Sequence, residues 1–328
     1  MKRALWALPV ALILFLSVHG ESVAAERDGP YTFHLAGDGA VVDDYELSGD
    51  EATPRIIVVP DTLGGQPVVS IAFNAFNNSE LAYDGAKVDA LILPDTVLYL
   101  EESAFQCCHG VQSIIFPASM ETIPEGSFSH VSACMIVSRD NPNFVVRDGF
   151  LIDERIATLL YSPWREGRCY SVTLPAVRRI GESSMDNLYW CSEVILPDIL
   201  ESIGSFAFYG MPYLKALAIP DSVIHMDEYT FYDSTLEKLR ISANVTEIPA
   251  YFCDSSDLKE LTLPPRLKTI GEFAFSMADI HEITLPETTE FVGYMAFPDQ
   301  THVTCLNPHA HFETQNEYEA RMMSKRDE

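Results

Sequence analysis

The stretch Leu261–Phe297, LTLPPRLKTIGEFAFSMADIHEITLPETTEFVGYMAF, says nearly the same thing twice. Leu-Thr-Leu-Pro at 261–264 returns as Ile-Thr-Leu-Pro at 283–286, an offset of 22 residues. Thr-Ile-Gly-Glu-Phe-Ala-Phe at 269–275 returns at the same offset as Phe-Val-Gly-Tyr-Met-Ala-Phe at 291–297. A fixed period of about 20–30 residues marks a solenoid, whose units cannot bury an apolar face alone and must stack.

Used as a ruler, the phrase finds the residue that follows each apolar triplet: Pro60, Pro94, Pro117, Ser138, Pro175, Pro197, Pro220, Ser242, Pro264 and Pro286. Most steps are 21 to 23 residues; the first is 34 and the step from Ser138 to Pro175 is 37, so insertions are expected near 64–85 and 139–170. Val303-Thr304-Cys305 reads as a degenerate further unit.

Each column has a physical role. Residues one and three before the anchor are apolar, as in Leu261 and Leu263 or Leu91 and Leu93, and share one side of a strand. The residue between them points to solvent. Proline then ends the strand because it brings no N–H to the ladder. The residue six before the anchor is a third core position: Val88, Val111, Cys169, Cys191, Leu214, Leu236, Leu258 and Ile280. A phenylalanine column (Phe76, Phe105, Phe128, Phe208, Phe231, Phe252, Phe275, Phe297) supplies a stacked aromatic spine on the other wall. Gly181, Gly204, Gly271 and Gly293 are expected where the chain bends tightly.

LTLPPRLKTIGEFAF (261–275), VILPDILESIGSFAF (194–208) and LILPDTVLYLEESAF (91–105) resemble the BspA-like, or Treponema-type, leucine-rich repeats. Asn141-Pro142-Asn143-Phe144 with Asp148-Gly149-Phe150-Leu151 is similar to that family's inserted hairpin, and Pro60–Gly65 with Val69-Ser70-Ile71 to its first repeat. The resemblance covers 31–312; Ser138, Ser242 and Met185 depart from it. It implies a mainly β, right-handed solenoid with one parallel sheet face and an irregular or short-helical opposite wall. It also implies extracellular or cell-surface protein binding, often called adhesion, with no known catalysis.

The ends carry other signals. Lys2 and Arg3 precede the apolar run Ala4–Val18, and Ser22-Val23-Ala24-Ala25 offers small residues for cleavage, so 1–25 reads as a signal peptide cut after Ala25. Residues 26–53 are polar strands that cap the first repeat, 54–306 hold the repeats, and 307–328 form a C-terminal cap and tail with a short helix around Tyr318–Met322. The expected mature product is secreted or at the cell surface.

With 48 acidic against 21 basic residues the net charge is −27. That argues against a nucleic-acid partner and against an anionic membrane surface, both of which need clustered Lys and Arg. No phosphate loop, dinucleotide fingerprint, Gly-x-Ser-x-Gly or His-Glu-x-x-His is present, so no catalytic group or cofactor is assigned. His309-Ala310-His311 and Asp43-Asp44 are read as surface residues, since neither has the spacing of a metal site.

Two features remain open. Cys169 and Cys191 share one column of adjacent repeats, where strands lie about 4.8 Å apart, within reach of a disulfide; they equally suit two small buried hydrophobes in a leucine column. Seven cysteines leave at least one unpaired within the chain. On the outward strand positions the N-terminal repeats carry Val58, Ile92, Ile115, Ile136 and later Ile195, whereas Arg240, Thr262 and Thr284 follow. Such β-branched residues simply favour strands, or they form a patch for a protein ligand. On the second reading, Ile92→Glu with Ile115→Glu leaves folding intact and removes binding. The alternative is a structural surface or spacer protein without a dedicated ligand site.

Overall fold

The computed structural model describes residues 25–37, 39–46, 56–76, 88–108, 110–163, 170–186, 188–254 and 257–325. The signal segment up to residue 24 lies outside the described residues. The chain is a mainly β solenoid of about ten turns. Two ladders of parallel strands form its walls.

The first ladder is built by the apolar triplets. Ile56–Val58, Ala90–Ile92, Ser113–Phe116 and Cys134–Val137 form one parallel sheet. Tyr170–Thr173 pairs with Cys191–Ile195, Ala216–Ala218 with Lys238–Arg240 and Glu260–Thr262, and Glu282–Leu285 with His302–Cys305. The expected alternation holds: in Ile56–Val58 only Ile57 is buried, and in Lys238–Arg240 only Leu239 is. After most of these strands the anchor carbonyl closes a turn by accepting an N–H from three residues on, as in Val97 to Pro94 (3.1 Å), Leu200 to Pro197 (3.0 Å) and Val223 to Pro220 (3.1 Å). Ser242 replaces proline by using its hydroxyl twice: Oγ donates to the Val223 carbonyl (2.6 Å) and accepts from the Asn244 N–H (3.2 Å).

The opposite wall is also β, in two-residue steps. Arg179–Ile180, Ser202–Ile203 and His225–Met226 form one run, and Glu247–Ile248, Thr269–Ile270, Phe291–Val292 and His311–Phe312 another. Among the described residues the only helix is Gln315–Ser324, beyond the repeats. It opens on a capping box between Thr314 and Glu317.

Between the ladders the phenylalanine column forms the expected spine. Phe76–Phe105, Phe105–Phe128 and Phe208–Phe231 have centroids 5.5, 6.1 and 4.9 Å apart. Where Met185 departs from the column, Tyr161 takes over the end of the N-terminal run, 5.9 Å from Phe128, with its hydroxyl donating to the Ala133 carbonyl (2.6 Å). Tyr161 belongs to the inserted segment. There Phe144–Arg147 and Phe150–Asp153 make a hairpin on an Asp148-Gly149 turn with φ of 52° and 87° at its two residues, which suits a type I′ turn. Phe150–Asp153 pairs in turn with Thr158–Tyr161. Leu151, Leu160 and Tyr161 face the N-terminal core, while Ile152 and Leu159 face the C-terminal core. The insertion therefore joins two cores rather than hanging from one.

A left-handed column follows the second wall: Ser103, Gly126, Ser183, Phe206, Tyr229, Tyr251, Phe273 and Met295 have φ of 55°, 77°, 50°, 54°, 61°, 54°, 54° and 49°. For a non-glycine residue this costs roughly 1–2 kcal/mol. At three of these positions the conformation aims the N–H at the next repeat, from Ser183 to the Ser205 carbonyl, Tyr251 to the Glu272 carbonyl and Phe273 to the Tyr294 carbonyl, each 3.0 Å, which offsets the cost there. The glycines at 181, 204, 271 and 293 do not bend the chain; none has a left-handed φ. They permit contact instead. A Cβ on Gly204 would lie 2.8 Å from the Glu182 nitrogen, and one on Gly271 would meet the backbone of Ala250 more closely still.

At the N-terminus Glu26–Asp28, Tyr31–Ala36 and Gly39–Tyr45 form an antiparallel meander, and Gly39–Tyr45 pairs in parallel with Gln66–Ile71. Thr62–Leu63 and Gln66–Ile71 make a short hairpin within the first long step. Residues 77–87 of that step lie outside the described residues.

Candidate recognition face

The outward residues of the first sheet fall into one line. Val58 lies opposite Ile92, Ile92 opposite Ile115, and Ile115 opposite Ile136. Period-two alternation turns these side chains outward, and parallel register stacks them. Val58 and Ile136 are 58% and 46% exposed; Ile92 and Ile115, flanked on both sides, are half-buried. The double substitution at Ile92 and Ile115 would therefore disturb packing, and Val58 with Ile136 are the cleaner pair to probe. Ile195 stands apart. It is 49% exposed but lies opposite Thr173 in a separate two-stranded sheet, beyond the inserted hairpin. The structure thus brings together four of the five outward aliphatics.

The row opens into two adjoining grooves. One, of about 420 Å³, is lined by Ile92, Ile115 and Ile136 with Asp61 and Asp95 on its rim. The other, of about 410 Å³, shares Ile136, Val137 and Ser138 and is walled by Phe144, Val145 and Val146 of the hairpin, with Arg139 at its edge. Asn141 fixes that wall: its amide donates to the carbonyls of Pro117 (3.1 Å), Ala118 (3.3 Å) and Met120 (3.0 Å), and its Oδ1 accepts the N–H groups of Asn143 and Phe144. The polar rim residues occupy the position just after each anchor, a column the strand pattern does not single out.

The C-terminal half of this face is occupied by its own charges. Lys238 pairs with Glu260 (2.6 Å), Arg240 with Asp221 (2.8 Å), and Lys215 and Lys259 both with Glu237 (3.8 and 3.5 Å). A groove of about 500 Å³ runs over Ile195, Ala216, Ala218, Lys238 and Glu260. On the outer wall Arg179 is clamped by Glu125 (2.8 Å) and Asp227 (2.9 Å); burial works against its charge, and those hydrogen bonds hold the guanidinium protonated.

The left-handed column carries a second aromatic ladder outside the core. Phe206, Tyr229, Tyr251 and Phe273 stack face to face at 5.0, 4.9 and 5.2 Å. It ends on Tyr318 of the C-terminal helix, 5.7 Å from Phe273. Its signal was present two residues before the phenylalanine column, in Phe206-Ala207-Phe208 and Phe273-Ala274-Phe275.

Cys169 lies outside the described residues. Cys191 is buried and lies opposite Tyr170, where the ladder shifts register. Its Sγ donates to the Glu193 carbonyl at 3.1 Å. Burial pushes the Cys108 thiol up to about 12 and raises that of Cys107, the latter aided by Asp186, so neither is poised as a thiolate. Asp43 meets His34 (2.8 Å), Asp44 accepts the Tyr45 N–H (2.8 Å), and His311 lies 3.5 Å from Glu317. Among the described residues no group of three or more His, Cys, Asp or Glu is arranged to hold a metal ion.

A leucine-rich repeat protein from Eubacterium ventriosum shares the fold, at 18% identity over 84% of this chain and 94% of its own, with a TM-score of 0.50. A leucine-rich cell surface protein of Faecalibacterium prausnitzii aligns at 16% identity over 92% of this chain and 98% of its own, with a TM-score of 0.39. The pneumococcal vaccine antigen PcpA aligns at 15% identity over 86% of this chain and 98% of its own, with a TM-score of 0.41. No curated protein matches the chain. Six copies of the BspA type leucine rich repeat region match residues 65–141 and 178–304, more than half of the sequence, so the chain belongs to the BspA-type leucine-rich repeat family.

Proposed function

We propose that this chain is an exported protein-recognition module that holds a protein ligand on the N-terminal half of its exposed sheet. The observation that carries the reading is the in-register row Val58–Ile92–Ile115–Ile136. Exposed apolar surface that continues across four strands marks an interaction site far more often than isolated aliphatics do. The family's repeats and the leader-like residues 1–25 support export, with cleavage after Ala25. The self-paired charges on Lys238, Arg240 and Glu260 favour a second, narrower reading for the C-terminal half, that of a spacer.

The test selects a random peptide display library on the mature protein and on the Val58→Glu/Ile136→Glu variant. Both positions are exposed, so the variant should keep its circular dichroism spectrum and lose at least tenfold in affinity for the enriched clones. Clones that bind the variant as tightly as the parent would overturn the reading.

A further inference from the structure

The charges beside the apolar row are arranged with a direction. Asp61 and Asp95 stand at the rim of the groove nearest Val58 and Ile92. Arg139 stands at the far end, beside Ile136 and the hairpin wall. Among the described residues none of the three makes an ion pair, although most arginines do: Arg147 with Glu154, Arg155 with Asp153, Arg178 with Glu201, Arg240 with Asp221. In a chain with 48 acids and 21 bases, a guanidinium left without a carboxylate at the mouth of an apolar groove is out of keeping with its surroundings. Glu154, which also lines that groove, is committed to Arg147. The two adjoining grooves therefore present two carboxylates at one end and one guanidinium at the other, with an aliphatic floor between.

The dimensions favour an extended segment. Four strands about 4.8 Å apart make a row about 14 Å long, which an extended chain at about 3.3 Å per residue crosses with four to five residues. Resting on the recognition role proposed for this face, we infer that its occupant is an extended peptide segment of fixed polarity. Its aliphatic centre lies over Ile92 and Ile115, a Lys or Arg reaches Asp61 and Asp95, and a carboxylate is taken by Arg139. Arginine suits that end because its planar fork binds a carboxylate through two parallel hydrogen bonds. The carboxylate comes from an Asp or Glu side chain or from a chain terminus; the chemistry at Arg139 is the same. A second copy of so acidic a chain would meet its long-range field as repulsion, which a short segment carrying both signs does not.

The experiment displays random peptides in two formats, one ending in a free C-terminus and one fused at both ends, and sequences the clones retained by the mature protein. The expected clones place two or more aliphatic residues between a basic residue and an acidic one, in one orientation. Enrichment of an acidic residue in both formats identifies a side-chain carboxylate; enrichment confined to the free-ended format identifies the terminus. Arg139→Glu should weaken those clones at least tenfold and reselect for a basic residue at that end, while Asp61→Lys/Asp95→Lys should reselect for an acidic residue at the other. Clones without charge order that are still lost on Val58→Glu/Ile136→Glu overturn the polarity and leave the recognition face standing. Clones indifferent to Val58→Glu/Ile136→Glu overturn both. An unenriched library, or a dimer in sedimentation that Arg139→Glu dissolves, refutes the peptide occupant.

Discussion

Phe231→Ala tests whether the aromatic spine holds adjacent repeats together. Phe231 is fully buried, with Phe208 at 4.9 Å on one side and Phe252 at 5.2 Å on the other. Truncating a buried phenylalanine costs about 3–5 kcal/mol, from lost transfer energy and the cavity left behind. Part of that is the two ring contacts, each worth about 0.5–1.5 kcal/mol. Because repeats couple only to their neighbours, the loss falls on both interfaces of one unit. Phe297 is the internal control: it is 8% exposed and touches one spine ring, Phe275 at 5.5 Å. We expect Phe231→Ala to lower the apparent unfolding free energy by about 4 kcal/mol and Phe297→Ala by about 2–3 kcal/mol. Urea titration followed by far-ultraviolet circular dichroism reads both. A cost below about 1.5 kcal/mol at Phe231, or a larger cost at Phe297, would refute the reasoning.

Other outcomes follow from the same contacts. Gly271→Ala should destabilise by about 1–3 kcal/mol through overpacking against the Ala250 backbone, read as a lowered midpoint in a thermal melt. Tyr161→Phe removes the hydroxyl that donates to the Ala133 and Val131 carbonyls and should cost about 1–3 kcal/mol, read by denaturation and by exchange of amides at the hairpin. The C-terminal helix should loosen in acid. Burial opposes the charge of Glu313, but hydrogen bonds from Arg321 (2.9 Å) and the Tyr294 N–H (3.0 Å) hold its carboxyl below the ordinary value. Its contribution is then present above the unfolded carboxylate range near about 4.3 and is lost as pH falls through the folded value. Limited proteolysis with an acid-active protease should cut within 313–324 faster at low pH, and Arg321→Ala should weaken the pH dependence, leaving the part that rests on the Tyr294 N–H.

The repeat and its buried columns were legible because burial enforces them. An outward slip of Leu91 or Leu239 would expose an apolar side chain, so period two and the 22-residue offset appear in the sequence itself. The second ladder was hidden because two-residue strands such as Thr269–Ile270 are too short to show any period. Phe206 and Tyr229 gave no sign of a left-handed backbone, since composition points to glycine at such positions. The glycines at 271 and 293 were visible but misread: the constraint is contact between successive turns, which lies outside local sequence. At the candidate face, the outward aliphatics could be named from alternation alone. Their grouping could not, because the inserted hairpin separates Ile195 from the other four. Asp61, Asp95 and Arg139 acquire meaning only once the grooves place them at opposite ends of one row.

The most direct test is a crystal structure of the mature protein with a selected peptide. The account predicts an extended chain across Val58, Ile92, Ile115 and Ile136, with its carboxylate within hydrogen-bond distance of Arg139. A peptide bound instead along the Phe206–Phe273 ladder, or over the paired charges of Lys238 and Glu260, would contradict it.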